Sequence, residues 1–268
     1  MSSYCAWMGL EYDPFIKQSK HGFRFDSEQF KDVFSRLEFH RSIGGFALLT
    51  GAAGLGKTTT LREWTKTLNP NRYKICYINL TTLSAPEFYR ELACQLDLEP
   101  KYRKQENYRQ IQEEISRLAI ERKITPVIII DEVNQLSGSV LTDLKMIFNF
   151  EMDSQERAIV ILCGLPHFKT VLRQPGHEPL RQRIMMNCAM EPMEQKEARE
   201  YIRAKLEAAG GSQSLFEEKA LNVVTAGAKG VPRLIDKMCN RCLILAEAER
   251  STVVTQEIAT LAAHDIEL

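Results

Sequence analysis

Gly51-Ala-Ala-Gly-Leu-Gly-Lys57-Thr58 is the stretch on which the fold turns. It follows the apolar run Phe46-Ala-Leu-Leu-Thr50 and precedes Thr59-Thr-Leu-Arg-Glu-Trp64. That order predicts a strand, a glycine loop and a helix. The spacing fits G-x-x-x-x-G-K-[ST], the phosphate-binding P-loop. Glycine lets successive backbone N–H groups turn inward around phosphate oxygens. The helix that follows directs its positive N-terminal end at the same anion. On this reading Gly51, Ala52, Ala53, Gly54, Leu55, Gly56, Lys57, Thr58 and Thr59 bind the nucleotide. Lys57 reaches the β- and γ-phosphates, and Thr58 holds Mg²⁺. The competing reading is a strand-to-helix turn that happens to be rich in glycine.

The second signal is Pro126-Val-Ile-Ile-Ile-Asp131-Glu132. Four β-branched residues in a row suit a strand covered on both faces, as in a parallel sheet. Two carboxylates close it. In a P-loop protein such a strand ends at the Mg²⁺-associated carboxylate, here Asp131. Glu132 is placed to polarise a water for attack on the γ-phosphate. Alone, the pair would read as an acidic helix cap. With the upstream loop, it reads as the second half of a hydrolysis site.

Helix, loop and strand alternate from about residue 46 to 190, with a second strand from Tyr73 to Leu80 and another from Ala158 to Gly164. This predicts an α/β fold with right-handed crossovers and a parallel sheet between helices. Ligands of such sheets bind at the carboxyl ends of the strands, where both signals lie. Residues 1–45 read as an aromatic strap, with Asp13-Pro14-Phe15 as a turn, plus one capped helix, packing on the core. Part of the strap is a candidate lining for the nucleotide base. Residues 46–191 form the core. After Glu191-Pro192 the strands stop, and residues 192–268 form a small all-helical lid domain.

Composition narrows the classes. The 268 residues are 44% hydrophobic and 26% charged, as in ordinary globular proteins. No run is long enough to span a membrane and no signal pattern opens the chain, which points to a cytoplasmic protein. Seven cysteines without framework spacing suggest reduced thiols. Cys239-x-x-Cys242 reads as a buried helix face. Net charge is zero, so any DNA contact must come from a local strip. The polar, basic stretch over residues 99–110 offers one, through Lys101, Arg103 and Lys104. A solvated loop is the plainer reading there. Arg181 or Arg183 is, taken alone, a surface salt-bridge former.

A P-loop sheet followed by a helical lid, with Arg183 before the boundary and Gly230-Val-Pro-Arg233 after it, resembles an AAA+ ATPase. Within that superfamily the chain resembles the ExeA-like ATPases. Asp13-Pro14-Phe15, the P-loop, Val127 to Glu132, Asn149-Phe150-Glu151, Cys163-Gly164-Leu165-Pro166, Leu180 to Ile184 and Gly230 to Arg233 carry the likeness. Related ATPases, MuB-like, IstB-like and TniB-like, assist DNA transposition.

The resemblance implies ATP and Mg²⁺ as cofactors and hydrolysis as the reaction. It gives Arg183 the role of an arginine finger on a neighbouring subunit's nucleotide and Arg233 that of sensor 2. Asn79 would hold Glu132 inactive until a partner binds. The polar residue usual at sensor 1 has no obvious equivalent in Leu162-Cys163-Gly164-Leu165, which implies slow or partner-stimulated hydrolysis. The expected function is an ATP-dependent regulator of transposition that forms a homo-oligomeric ring or filament on duplex DNA and recruits a transposase, with no membrane partner. The alternatives are a secretion-pathway ATPase and another protein-remodelling NTPase. The secretion ATPases carry a membrane segment and a cell-wall-binding portion after the ATPase. Neither follows the lid here, which tilts the expectation toward DNA.

Overall fold

The computed structural model describes residues 3–16, 23–79 and 82–266. Five strands form one parallel sheet: β1 (Gly45–Gly51), β2 (Tyr73–Ile78), β3 (Thr125–Ile130), β4 (Ile159–Gly164) and β5 (Ile184–Met190). Their spatial order is β2-β3-β4-β1-β5. Before them come α1 (Ser3–Trp7) and α2 (Glu28–Ile43), and between them run α3 (Lys57–Thr67), α4 (Ala85–Gln95), α5 (Lys104–Ser116), α6 (Gly138–Ile147), α7 (Phe168–Leu172) and α8 (Glu178–Gln182). The C-terminal helices are α9 (Gln195–Ala208), α10 (Glu218–Gly227), α11 (Pro232–Ala248) and α12 (Gln256–Ile266).

Local chemistry accounts for the element ends. Every residue of β1 and β4 is buried, as expected for central parallel strands. Pro126 sits at the second residue of β3, near the strand start where a missing N–H is tolerated. Ser84 and Glu87 form a capping box at α4, with Pro86 in its first turn. Gly44 and Gly45 turn α2 into β1 at φ +79° and +75°.

The chain divides into two compact units. One holds residues 32–53 and 57–190, and its core joins the sheet to its helices through Phe46, Ile128, Ile130, Leu144 and Leu162. The other holds residues 1–31, 54–56 and 191–268. The strap therefore departs from the expected arrangement. It starts as a helix, and Tyr4, Cys5, Met8, Leu10 and Phe15 join the core of α9, α10, α11 and α12 rather than covering the sheet.

The reason is polar as well as apolar. Asp13 accepts from Asn240 Nδ2 (2.7 Å), from the Tyr4 hydroxyl and from Phe15 N (2.8 Å), the last closing the expected Asp-Pro turn. Lys205 Nζ lies 5.6 Å from the Phe15 ring, 5.8 Å from Phe23 and 5.1 Å from Tyr201, and bonds Asp236 at 2.8 Å. Burial raises the Asp236 pKa, against the pull of Lys205.

Smaller differences follow the same logic. β2 ends at Ile78, and Leu80 lies outside the described residues. The basic stretch after residue 99 is no extended loop, because α5 starts at Lys104 and continues as a π-helical turn to Arg122. β5 had no sequence signal of its own. Its inward Met186, Cys188 and Met190 alternate with exposed Met185, Asn187 and Ala189, the pattern of an edge strand. Cys239 and Cys242 lie buried in α11, and burial pushes the Cys242 thiol up to about 12. Among the described residues no cluster of His, Cys, Asp and Glu is built to hold a metal alone, and no helix is long and apolar enough to cross a membrane.

Candidate nucleotide site

The sheet register places the two sequence signals beside each other. β1 ends in the loop and β3 ends in Asp131, with β4 between them. Ile130 pairs with Leu162, so Asp131 lies level with Cys163 on β4. Across this gap Thr58 Oγ1 donates to Asp131 Oδ2 at 2.8 Å. The residues expected to hold a cation are therefore in direct contact. A hydroxyl and a carboxylate are hard oxygen donors, the set that Mg²⁺ takes together with substrate phosphates and water.

Lys57 opens α3 and is buried, with Nζ donating to Gly51 O (2.8 Å) and Ala52 O (3.0 Å). Its ammonium is thus held over the loop's own backbone. Ala52, Ala53 and Thr59 are exposed, and Leu55 is buried. Gly54 and Gly56 stand at φ +85° and +97°, which only glycine adopts freely. In the helical unit, which includes residues 54–56, Arg233 N donates to Gly54 O at 3.3 Å. A Cβ on Gly54 would come within 2.8 Å of Arg233 Cβ, so this approach also needs glycine. The Arg233 side chain is exposed.

Glu132 has φ 54° and ψ 39°, a left-handed conformation that costs a residue with a Cβ about 1–3 kcal/mol. Its N–H donates to Asp131 Oδ1 at 3.0 Å. Its half-buried carboxylate has no hydrogen-bond partner among the described residues. Strain of this kind persists where the surroundings dictate the backbone.

Sequence analysis assigns no role beside Asp131 to Tyr77, Cys163 or Asn134. Tyr77, on β2, donates its hydroxyl to Asp131 Oδ2 at 2.9 Å. Burial first, and then this bond, raise its pKa, so the phenol stays a donor. The Cys163 thiol sits against Asp131; burial foremost, then the Asp131 charge, push its pKa up, and it stays a neutral thiol. Asn134 Oδ1 accepts from Leu165 N at 3.0 Å and ties the turn after β3 to the end of β4. Gly164 is required there, since a Cβ would meet Asn134 Oδ1 at 2.8 Å and Val133 Cγ2 at 2.9 Å. Tyr77 on β2 and Cys163 on β4 flank the end of β3, and that register is not written in single-strand patterns.

The remaining candidates lie apart from this cluster. Asn79 is exposed and makes no hydrogen bond to Glu132. Arg183 is folded inward, donating to Lys145 O (2.6 Å) and Phe148 O (2.9 Å) over the Phe46 ring. Arg181 is exposed and forks onto Glu178. Of the basic strip, Lys104 pairs with Asp143 at 2.5 Å and Lys101 with Glu99 at 3.5 Å, while Arg103 is exposed.

Residues 40–172 match the family model described as AAA domain. Over 269 aligned positions the chain is 30% identical to general secretion pathway protein A of Aeromonas hydrophila, covering 98% of this chain and 48% of that protein. The chain thus spans about half the length of that relative. Among solved structures, Cdc6p from Pyrobaculum aerophilum superposes with a TM-score of 0.72 at 17% identity, covering 95% of this chain and 71% of that one. Drosophila ORC bound to DNA gives 0.75 at 17% identity, covering 98% and 66%. The shared architecture is the AAA+ P-loop α/β core with a helical C-terminal region.

Proposed function

We propose, starting from the AAA domain carried by residues 40–172, that this chain binds Mg²⁺–ATP and hydrolyses it to ADP and phosphate. The observation that carries the reading is the Thr58–Asp131 contact of 2.8 Å, with the strained Glu132 next to it. Lys57 would leave the loop carbonyls for the β- and γ-phosphates. Bound Mg²⁺ would neutralise charge on the phosphates. Thr58 and Asp131 would hold its shell, and Glu132 would take the proton of the attacking water. The stretch Leu162-Cys163-Gly164-Leu165 offers no obvious polar residue to sense the γ-phosphate, which supports slow or partner-stimulated turnover. Arg183 remains the candidate finger toward a neighbouring subunit. It would first have to give up Lys145 O and Phe148 O.

The hydrolysis cycle would serve assembly. In the first reading, ATP-bound subunits form a ring or filament on duplex DNA and recruit a transposase. Subunits in series would add up weak phosphate contacts from Arg103 and its neighbours. ORC, of similar fold, was solved bound to DNA. In the second reading the assembly serves secretion, and the 30% identity to a secretion-pathway protein favours it. Internal pairing of Lys104 and Lys101 removes part of the advantage the first reading drew from sequence.

Electron microscopy and sedimentation with duplex DNA, with and without a non-hydrolysable ATP analogue, separate them. Nucleotide-dependent rings or filaments on DNA, weakened by Arg103→Ala and by salt, support the first. Nucleotide-dependent oligomers indifferent to DNA support the second. Absence of ATP binding by calorimetry would overturn both.

A further inference from the structure

The donors around Asp131 single out a residue outside the loop and the acidic pair. Tyr77 is the fifth residue of β2 and is in register with Ile129. Asp131 lies two residues past Ile129, within reach of a phenol from the neighbouring strand. Tyr77 Oη and Thr58 Oγ1 donate to the same oxygen, Oδ2, at 2.9 and 2.8 Å. Glu132 N holds Oδ1 at 3.0 Å. The strand position of Tyr77 is itself fixed, because Tyr77 N donates to Gln95 Oε1 on α4 at 3.2 Å, and Gln95 Nε2 donates to Glu91 at 2.9 Å.

A carboxylate held by a single side-chain donor can swing about its terminal torsion, which is soft. Thr58 is a poor sole anchor, since its hydroxyl is also the group that would turn a lone pair to a cation. A second donor on a rigid strand removes that freedom.

We infer that Tyr77 is a positioning residue of this site, holding the Asp131 carboxylate in place while Thr58 engages a divalent cation. The inference rests on the Mg²⁺–ATP reading above. Tyr77 touches no reacting atom; it acts through Asp131. Partners of this kind behind metal-shell groups are worth about 10–100-fold in metal affinity.

The test is Tyr77→Phe in the full chain. A fluorescent ATP analogue is titrated in EDTA, and then at fixed analogue over a range of Mg²⁺. The expected result is a Mg²⁺ midpoint raised about tenfold, with affinity in EDTA within about twofold of wild type. A purely structural role would lower both affinities together, and that outcome overturns the inference, as does an unchanged midpoint. A second measurement needs no loss of the hydroxyl. With 3-fluorotyrosine at position 77, the ¹⁹F resonance should shift when Mg²⁺ is added to the nucleotide-bound protein. No shift overturns the inference. If wild type binds the analogue under neither condition, the nucleotide reading itself fails, which is a different result from a bound analogue with an unmoved midpoint.

Discussion

At the scale of single residues, Glu132 joins two properties that pull apart. Its carboxylate is the candidate base, and its backbone is strained at φ 54°. Glu132→Gln should bind ATP with near wild-type affinity and lose about 10²–10⁴-fold in turnover. A variant with wild-type turnover would remove Glu132 from the mechanism. Glu132→Gly should be equally inactive, yet no less stable, because glycine adopts this conformation without a Cβ penalty. The gain of about 1–2 kcal/mol from relieved strain offsets the entropy cost of glycine, about 0.5–1 kcal/mol. Urea denaturation of the two variants side by side checks this, and a marked loss of stability in Glu132→Gly would show that the strain argument is misplaced.

His40 supplies the pH dependence at the same scale. It is 1% exposed, its Nε2 bonds Gly45 O at 3.2 Å, and Nδ1 has no partner among the described residues. Burial lowers its pKa below the ordinary value near 6.5. Above that value both folded and unfolded imidazoles are neutral, and the folded state keeps its full stability. As pH falls through about 6.5 the unfolded chain takes the proton first, so stability declines until the folded pKa is passed. Urea midpoints measured between pH 7 and 5 should fall in wild type and fall less in His40→Gln. Equal slopes in both proteins would assign the acid sensitivity elsewhere.

At the scale of elements, Arg183 closes the C-terminal end of α6. Lys145 lies in its last turn and Phe148 is its cap, so the guanidinium satisfies carbonyls that a helix end leaves unpaired. The side chain is only 13% exposed. Arg183→Ala should therefore destabilise the isolated subunit by about 1–3 kcal/mol, through lost charge-assisted bonds and unsatisfied carbonyls. Thermal denaturation of the nucleotide-free subunit measures it. An unchanged melting temperature, with activity lost only in the oligomer, would mean that Arg183 serves a neighbour alone. The sequence placed an arginine before the domain boundary. It held no sign of where the side chain folds, because that depends on α6 ending at Ile147, which leaves the carbonyls of Lys145 and Phe148 open to it.

At the scale of the whole molecule, the N-terminal segment belongs to the core of the helical unit. Phe15 is 4% exposed and meets the Phe216 ring edge-on, with centroids 6.5 Å apart. Phe15→Ala should cost about 3–5 kcal/mol, the range for large aromatic truncations in a core. The cost should appear as early melting of the helical unit, followed by amide exchange in α9 to α12, while the strands β1, β3 and β4 keep their protection. Uniform loss of protection through the sheet would contradict this assignment.

Much of the sheet unit was legible in the chain. The P-loop spacing, the β-branched run into Asp131 and the glycine punctuation each follow from local stereochemistry, and a parallel sheet is the one arrangement that buries such runs on both faces. Sequence by itself thus determined the α/β class, the loop that would cradle phosphate and the pair of carboxylates at a strand's carboxyl end. Tertiary structure alone decided what surrounds that pair. Strand order sets β4 between β1 and β3, and register then brings Tyr77 to Asp131 and lays Cys163 alongside it. The home of the strap was likewise hidden, since its aromatic residues would suit either core. Asp13 finds its donors, Tyr4 and Asn240, on both sides of a separation of more than 220 residues, and no local pattern encodes a bond of that span.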